Sequence, residues 1–223
     1  MKKLSLIIPT YKKPRSLGRM IESCRRCTNP QDTEWVVVVD DGSFVEVRDR
    51  YPGCKVVECG NGSGAGMAIW KGALVSEGEI IGVAGDAMEL LTPDTDWKIW
   101  SALRNKAAIC GLNDGMQQGR AHPFIPRDMW FGGLGYPPCY RHYYGDTEVY
   151  RIAKHHHAWI HLTAVPVKHH HEYPKSKGFD VDILEDVSAE SKQMAKHDGE
   201  IFQRRMKWWE ENGKPRMIPW HII

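Results

Sequence analysis

The sequence predicts an α/β fold with a mostly parallel central sheet flanked by helices. Three apolar strand segments each end in a polar cluster, at Pro9–Tyr11, at Asp40–Ser43 and at Asp86–Glu89. Helical patterns separate these strands, so they read as parallel neighbours. In an open parallel sheet the ligand crevice lies beyond the carboxyl ends of the strands. The three polar clusters are therefore expected to meet in one place.

Each element follows from local pattern. Residues 4–9, apolar but for Ser5, read as a buried strand. Pro14 suits the first turn of a helix running to about Cys27, with Leu17, Met20, Ile21 and Cys24 at helical spacing. Asn29-Pro30 and Asp32 end it. Trp35–Val39 reads as a second buried strand, Val45–Arg50 as a short helix, Pro52-Gly53 as a turn and Lys55–Glu58 as a shorter strand. Gly60–Gly66 is a loop, and Met67–Ser76 a helix that Gly78 terminates. Glu79–Ala84 is the strand that delivers Asp86. Thr95–Asn105 reads as helix and Ala107–Gly111 as strand, an alternation that predicts an α/β sandwich. The second half is less regular. Asn113–Pro126 reads as a polar loop, Pro126–Trp130 as a helical turn, Gly132–Pro138 as loop, Asp146–Lys154 as helix and Trp159–Val167 as strand. After a loop at Pro174–Gly178, Ser188–Lys196 and Gly199–Glu211 read as two helices. Asp198 caps the second, and Gly213 and Pro215 stop it.

A length of 223 residues suits one domain with a C-terminal extension, and a hydrophobic content of 42% suits a full globular core. The 30 Lys and Arg residues nearly balance the 28 Asp and Glu, which gives no strong case for a polyanion partner. Lys2-Lys3 before Leu4–Ile8 faintly resembles a leader, but the apolar run stops at Pro9. No segment approaches the roughly 18 apolar residues of a membrane span. The expected location is cytoplasmic, with docking on a membrane surface left open. Of six cysteines, Cys24 and Cys27 have zinc-ligand spacing, and Cys54 with Cys59 would complete four thiolates. The helical apolar face that holds Cys24 favours a core role instead.

Ile8-Pro9-Thr10-Tyr11 closes the first strand, Asp40-Asp41-Gly42-Ser43 closes the second, and Gly78-Glu79-Ile80-Ile81 leads into Asp86. In this order and at this spacing the chain resembles the nucleotide-sugar glycosyltransferases of family 2, which share the GT-A fold. The resemblance spans about residues 4–202. It implies a GT-A domain over 1–180, with a nucleotide-binding half to about 112, an acceptor half from about 113 and a helical extension over 181–223. It implies inverting transfer from a nucleoside diphosphate sugar, a UDP-sugar favoured, to an acceptor hydroxyl. The acceptor stays open among a glycan, a lipid-linked sugar, a protein and a modified nucleic-acid base.

Residue by residue, the resemblance puts Pro9, Thr10, Tyr11, Asp40, Asp41, Asn61, Gly62 and Asp86 on the donor. Asp41 is the better match for base contact, and Asp40 supports the loop. On its own, Asp-Asp-Gly-Ser is also an ordinary turn. Its position after four valines and beside Pro9-Thr10 favours the site. Gly60–Gly66 lacks the Gly-Lys-Ser/Thr ending of a P-loop. Relatives usually carry two or three aspartates where Asp86 stands, holding a divalent metal, Mn²⁺ or Mg²⁺, on the diphosphate. One Asp is sufficient beside phosphate oxygens and water, given a second protein ligand. A late-strand His often adds a ligand, which points to His169 and His171 of Lys168-His-His-His-Glu172. If the strand continues, those two share a face and His170 points away. His155-His156-His157 sits at a helix end and reads as surface.

Tyr144-Gly145-Asp146-Thr147-Glu148-Val149-Tyr150-Arg151 resembles the family's acidic motif. Asp146 matches the general base and Glu148 a residue holding the acceptor or the loop, while Gly145 replaces an acid found in many relatives. Helix capping alone would also explain Asp146 and Glu148. Trp130, Phe131 and Tyr136 fall in the acceptor region, as sugar-stacking rings or as core. Two rival readings remain. A sugar nucleotidyltransferase would carry a Gly-rich basic loop after the first strand, which Pro9–Pro14 does not. A binding module without chemistry would fit the single Asp86 and Gly145.

Overall fold

The computed structural model describes residues 2–115, 121–170 and 189–222. Eight strands form one sheet: β1 (Leu4–Thr10), β2 (Thr33–Val39), β3 (Lys55–Glu58), β4 (Ile80–Val83), β5 (Met88–Leu90), β6 (Ile109–Asn113), β7 (Pro123–Pro126) and β8 (Trp159–His169). Their spatial order is β3-β2-β1-β4-β7-β6-β8-β5. The β3-β2-β1-β4 half is parallel, as the alternating pattern predicts, and β6 pairs with β8 in parallel. The remaining pairs, β4 with β7, β7 with β6 and β5 with β8, are antiparallel.

The helices are α1 (Pro14–Cys27), α2 (Phe44–Arg50), α3 (Ala65–Val75), α4 (Thr95–Leu103), the short turn α5 (Arg127–Met129), α6 (Gly145–His155) and α7 (Ala189–Glu211). They cover both faces of the sheet. Leu4, Leu6, Ile8, Val37 and Val39 pack with Leu17, Met20 and Ile21 of α1 and with Ile99 of α4. Ile7, Val36 and Val38 point the other way, onto Ala68, Ile69 and Ala73 of α3. Period-two alternation thus explains why these strands carry apolar residues on both faces. Cys24 belongs to the first layer and Cys59 to the second, so the sheet separates them. The four-thiolate zinc reading falls for that reason.

Three expectations are corrected. Residues 123–126 are not loop but an inner strand, with Phe124 and Ile125 buried on opposite faces. Prolines at both ends hid it, since Pro cannot complete a ladder. Residues 88–90 form β5, too short to show a period. The two C-terminal helices are one, α7, running through Asp198 and Gly199. Asp198 caps no helix there. Among the described residues, no helix is long and apolar enough to cross a membrane.

Helix α7 packs on the same body through Ile201, Phe202, Met206 and Trp209 against Tyr140 and Ile152. Within this layer Arg205, fully buried, meets Glu148 of α6. Its Nε donates to Glu148 Oε2 at 2.8 Å and its Nη2 to Oε1 at 2.7 Å. The other guanidinium N–H groups donate to the carbonyls of Ile218, Pro219 and Ile222, which fastens the C-terminal tail. Removing one partner of such a pair strands a buried charge, at about 3–5 kcal/mol. Arg205→Met should lower unfolding free energy by that amount in urea titration. A loss below ~1 kcal/mol would show that the pair does not fasten α7.

Candidate active site

The strand ends meet as the sequence predicts. Thr10 Oγ1 donates to Asp86 Oδ2 at 3.0 Å, joining β1 to the turn after β4. The backbone N–H groups of Tyr11 and Ala87 also donate to that carboxylate. Burial pushes the Asp86 carboxyl above its ordinary value, while Lys13 and these hydrogen bonds pull the other way. Asp41 accepts from the Lys12 N–H at 2.5 Å and from the Ser43 N–H at 3.0 Å. Burial alone would raise its carboxyl, but the Ser43 and Lys12 bonds hold it below the usual range. Thr10, Lys13, Pro14, Leu17, Asp41 and Ser43 line part of a cavity of about 160 Å³. Tyr11 stands at this end of the sheet, 41% exposed. Asn61 bridges to Asp41.

Asp40 faces inward. Its Oδ1 accepts from Ser63 N–H at 3.0 Å and its Oδ2 from Gly64 N–H at 2.8 Å, while its carbonyl takes Gly62 N–H at 2.8 Å. Buried at the end of β2, it pins the glycine loop ahead of α3.

On the acceptor side, Asp146 lies in the first turn of α6, half-exposed, and accepts from the Thr147 N–H at 2.7 Å. Its own backbone N–H donates to the Tyr136 hydroxyl. A methyl group at Gly145 would fall 2.3 Å from the Tyr136 ring, which explains the glycine where relatives have an acid. Glu148 is 2% exposed, with its carboxylate taken by Arg205 and by the Tyr140 hydroxyl at 2.6 Å. It faces α7 and not the crevice, so direct contact with the acceptor is corrected to a holding role in the fold. Trp130 and Tyr136 are 0% and 5% exposed within the core layer beneath α3. Neither presents a ring face, and the stacking expectation is corrected for both. Phe131 is 43% exposed.

β8 carries His169 opposite Met88, two residues beyond Asp86. The His169 ring stacks on His122, with centroids 4.5 Å apart, and the two Nε2 atoms are hydrogen-bond partners. His122 lies against Gly85, the neighbour of Asp86. It sits in an irregular segment with no periodicity to single it out, so sequence reasoning missed it. His170 turns to the other face and bonds Glu89 at 2.7 Å. His171 lies outside the described residues. His155–His157 close α6 at the end away from Asp146, with His155 edge-on to Trp209.

Residues 5–159 match the family model described as glycosyl transferase family 2. The chain belongs to that family. Its fold is the GT-A fold of solved glycosyltransferases. The solved structures similar to this glycosyltransferase include TarS residues 1–349 of S. aureus in complex with UDP, at 13% identity and TM-score 0.59, covering 94% of this chain and 73% of that one. GalNAc-T7 with UDP, GalNAc and Mn²⁺ is similar at 14% identity and TM-score 0.61, over 96% of this chain and 52% of the other. The mannosyltransferase PcManGT of Pyrobaculum calidifontis, in complex with GDP-Man and Mn²⁺, is similar at 14% identity and TM-score 0.58 over 78% of this chain. Only 57% of that mannosyltransferase is spanned. Comparison with curated protein sequences finds no match.

Among the described residues, no three His, Cys, Asp or Glu side chains converge as a cage for a metal. A divalent ion on a diphosphate needs only one or two protein carboxylates, the other positions being phosphate oxygens and water. The half-exposed Asp86, held by Thr10, fits such a shared site on the glycosyltransferase.

Gly145→Ala tests the packing at the base of α6. Overpacking against Tyr136 should cost about 1–3 kcal/mol in urea unfolding. The double variant with Tyr136→Leu should recover part of that loss. Purely additive losses would show that the ring is not what excludes a side chain at 145.

Proposed function

We propose that this glycosyltransferase moves a sugar from a nucleoside diphosphate sugar, a UDP-sugar favoured, to an acceptor hydroxyl with inversion at the anomeric carbon. The observation that carries the reading is the Thr10–Asp86 contact, which sets an acid at the strand ends beside the cavity that Asp41 lines. Asp41 reads the base, Tyr11 covers it, and Asn61 and Gly62 of the pinned loop border the donor. Pro9 and Thr10 shape the strand end. Asp86 and His169 are the described residues that would hold Mn²⁺ or Mg²⁺, with His171 as the further expected ligand. When bound, the ion neutralises charge on the departing diphosphate.

Asp146 supplies the base. Its half-exposed carboxylate takes the proton of the acceptor hydroxyl as that oxygen bonds to the anomeric carbon. The bond from that carbon to the diphosphate oxygen breaks on the opposite side, and the electron pair leaves with the nucleotide. Glu148, engaged by Arg205, positions α6 and does not exchange protons.

Asp146→Asn keeps size but cannot take the proton, so transfer should fall on the order of 10²–10⁴ with UDP affinity unchanged. A full-rate variant, or one whose donor affinity falls in step with rate, would remove Asp146 from this role. By calorimetry, Asp86→Ala should abolish Mn²⁺-dependent UDP binding and His169→Ala should weaken it. Replacement of His155–His157 should leave it intact. Unchanged Mn²⁺-dependent binding in Asp86→Ala would sink the metal assignment.

A further inference from the structure

We infer that Asp198, on α7, is a positioning residue for both sides of the site: the segment that presents Asp146 and the N-terminus of α3 at the glycine loop. The inference rests on the proposed role of Asp146 only for its effect on rate. Asp198 is 0% exposed. Its Oδ1 accepts from the Arg141 N–H at 3.0 Å, and its Oδ2 from the N–H groups of His142 at 2.7 Å and Tyr143 at 2.8 Å. His197 Nδ1 approaches Oδ1 at 3.0 Å. Three successive N–H groups turned on one carboxylate require a curled backbone, the anion-holding nest. Without the carboxylate those three N–H groups would have no common acceptor, and the curl would lose its cause.

Beyond the curl the chain passes through Tyr144, left-handed at φ 67°, and then Gly145 and Asp146. An unbranched aromatic residue takes that conformation only when its surroundings hold it. Here the Tyr144 ring stacks on Phe202 of the same α7, with centroids 5.0 Å apart. One helix therefore sets both the nest and the residue that starts α6.

The other side of the curl reaches the donor loop. The Arg141 carbonyl accepts from Ala65 N–H at 2.6 Å and the Tyr140 carbonyl from Gly66 N–H at 3.0 Å. These are the first N–H groups of α3, which have no partner within their own helix. The approach is close: a Cβ at Gly66 would lie 2.4 Å from the Tyr140 oxygen, and one at Gly64 2.9 Å from Arg141 Cα. Gly64 also donates to Asp40. A continuous chain of hydrogen bonds thus runs from Asp198 through residues 140–143 to α3 and Asp40.

Asp198→Asn is nearly isosteric but replaces one acceptor oxygen with an amide NH2, a donor facing an N–H. Ile99→Ala, on α4 and buried in the layer on the other face of the sheet, lowers stability without touching the loop and serves as control. Hydrogen exchange of the folded protein should be on the order of tenfold faster in Asp198→Asn at amides 65–66 and 141–147. It should be unchanged there in Ile99→Ala. With a UDP-sugar donor, kcat should fall on the order of 10²-fold, because misplacement of a reacting group by about 1 Å costs that much. Unchanged exchange in Asp198→Asn, or the same exchange and rate losses in Ile99→Ala, would overturn the assignment. A wild-type chain that transfers no sugar would count against the proposed function alone, and exchange would still decide the role of Asp198.

Discussion

Buried carboxylates that must be satisfied by backbone N–H groups or a guanidinium hold this site together. Asp40 at the end of β2 has Ser63 and Gly64 as donors, and without them its charge would sit unpaired in the core. That requirement fixes the glycine loop, and the loop fixes where α3 begins. The α3 N-terminus takes its acceptors from residues 140 and 141, which Asp198 holds from behind. Glu148 then ties α6 to Arg205, and Arg205 ties down the tail. Each link is a desolvated charge whose loss costs more than its formation gains. The geometry of the glycine loop and of the segment before Asp146 therefore depends on residues far along the chain.

This division of labour sorts the acids. Asp40, Glu148 and Asp198 are buried and engaged, which removes them from proton transfer. Asp41 and Asp86 are half-exposed beyond the strand ends, and Asp146 is half-exposed in the first turn of α6. Asp86 is pushed up by burial and Asp41 is drawn down by the Ser43 and Lys12 hydrogen bonds. A carboxylate pushed up by burial gains most from a cation beside it, which is the physical reason to place a metal at Asp86 and not at Asp41.

Much of the fold was legible because its first half is local. β1, β2 and β4 are mostly apolar segments with polar stops, β3 is a short one between turn signals, and α1 shows its buried face at helical spacing. The failures share a cause: the deciding partner lies far along the chain. β7 is a strand because Phe124 and Ile125 fill two core layers, which outweighs the prolines that mark it as loop. Asp198 looks like a helix cap because its true partners, residues 141–143, are 55 or more positions away. Glu148 looks like a site acid because Arg205 stands 57 residues off. Trp130 and Tyr136 have the composition of a sugar platform, but composition does not record which side of the backbone faces the core.

The central claim is that the strand-end acids serve transfer from a nucleotide sugar. The most direct measurement is a time course of nucleoside diphosphate release from a panel of nucleotide sugars, with Mn²⁺ or with chelator, reading product configuration by proton NMR. The account predicts UDP release with Mn²⁺, loss of release in chelator, and a product anomer inverted relative to the donor. No nucleoside diphosphate from any donor, or a product of retained configuration, would contradict it.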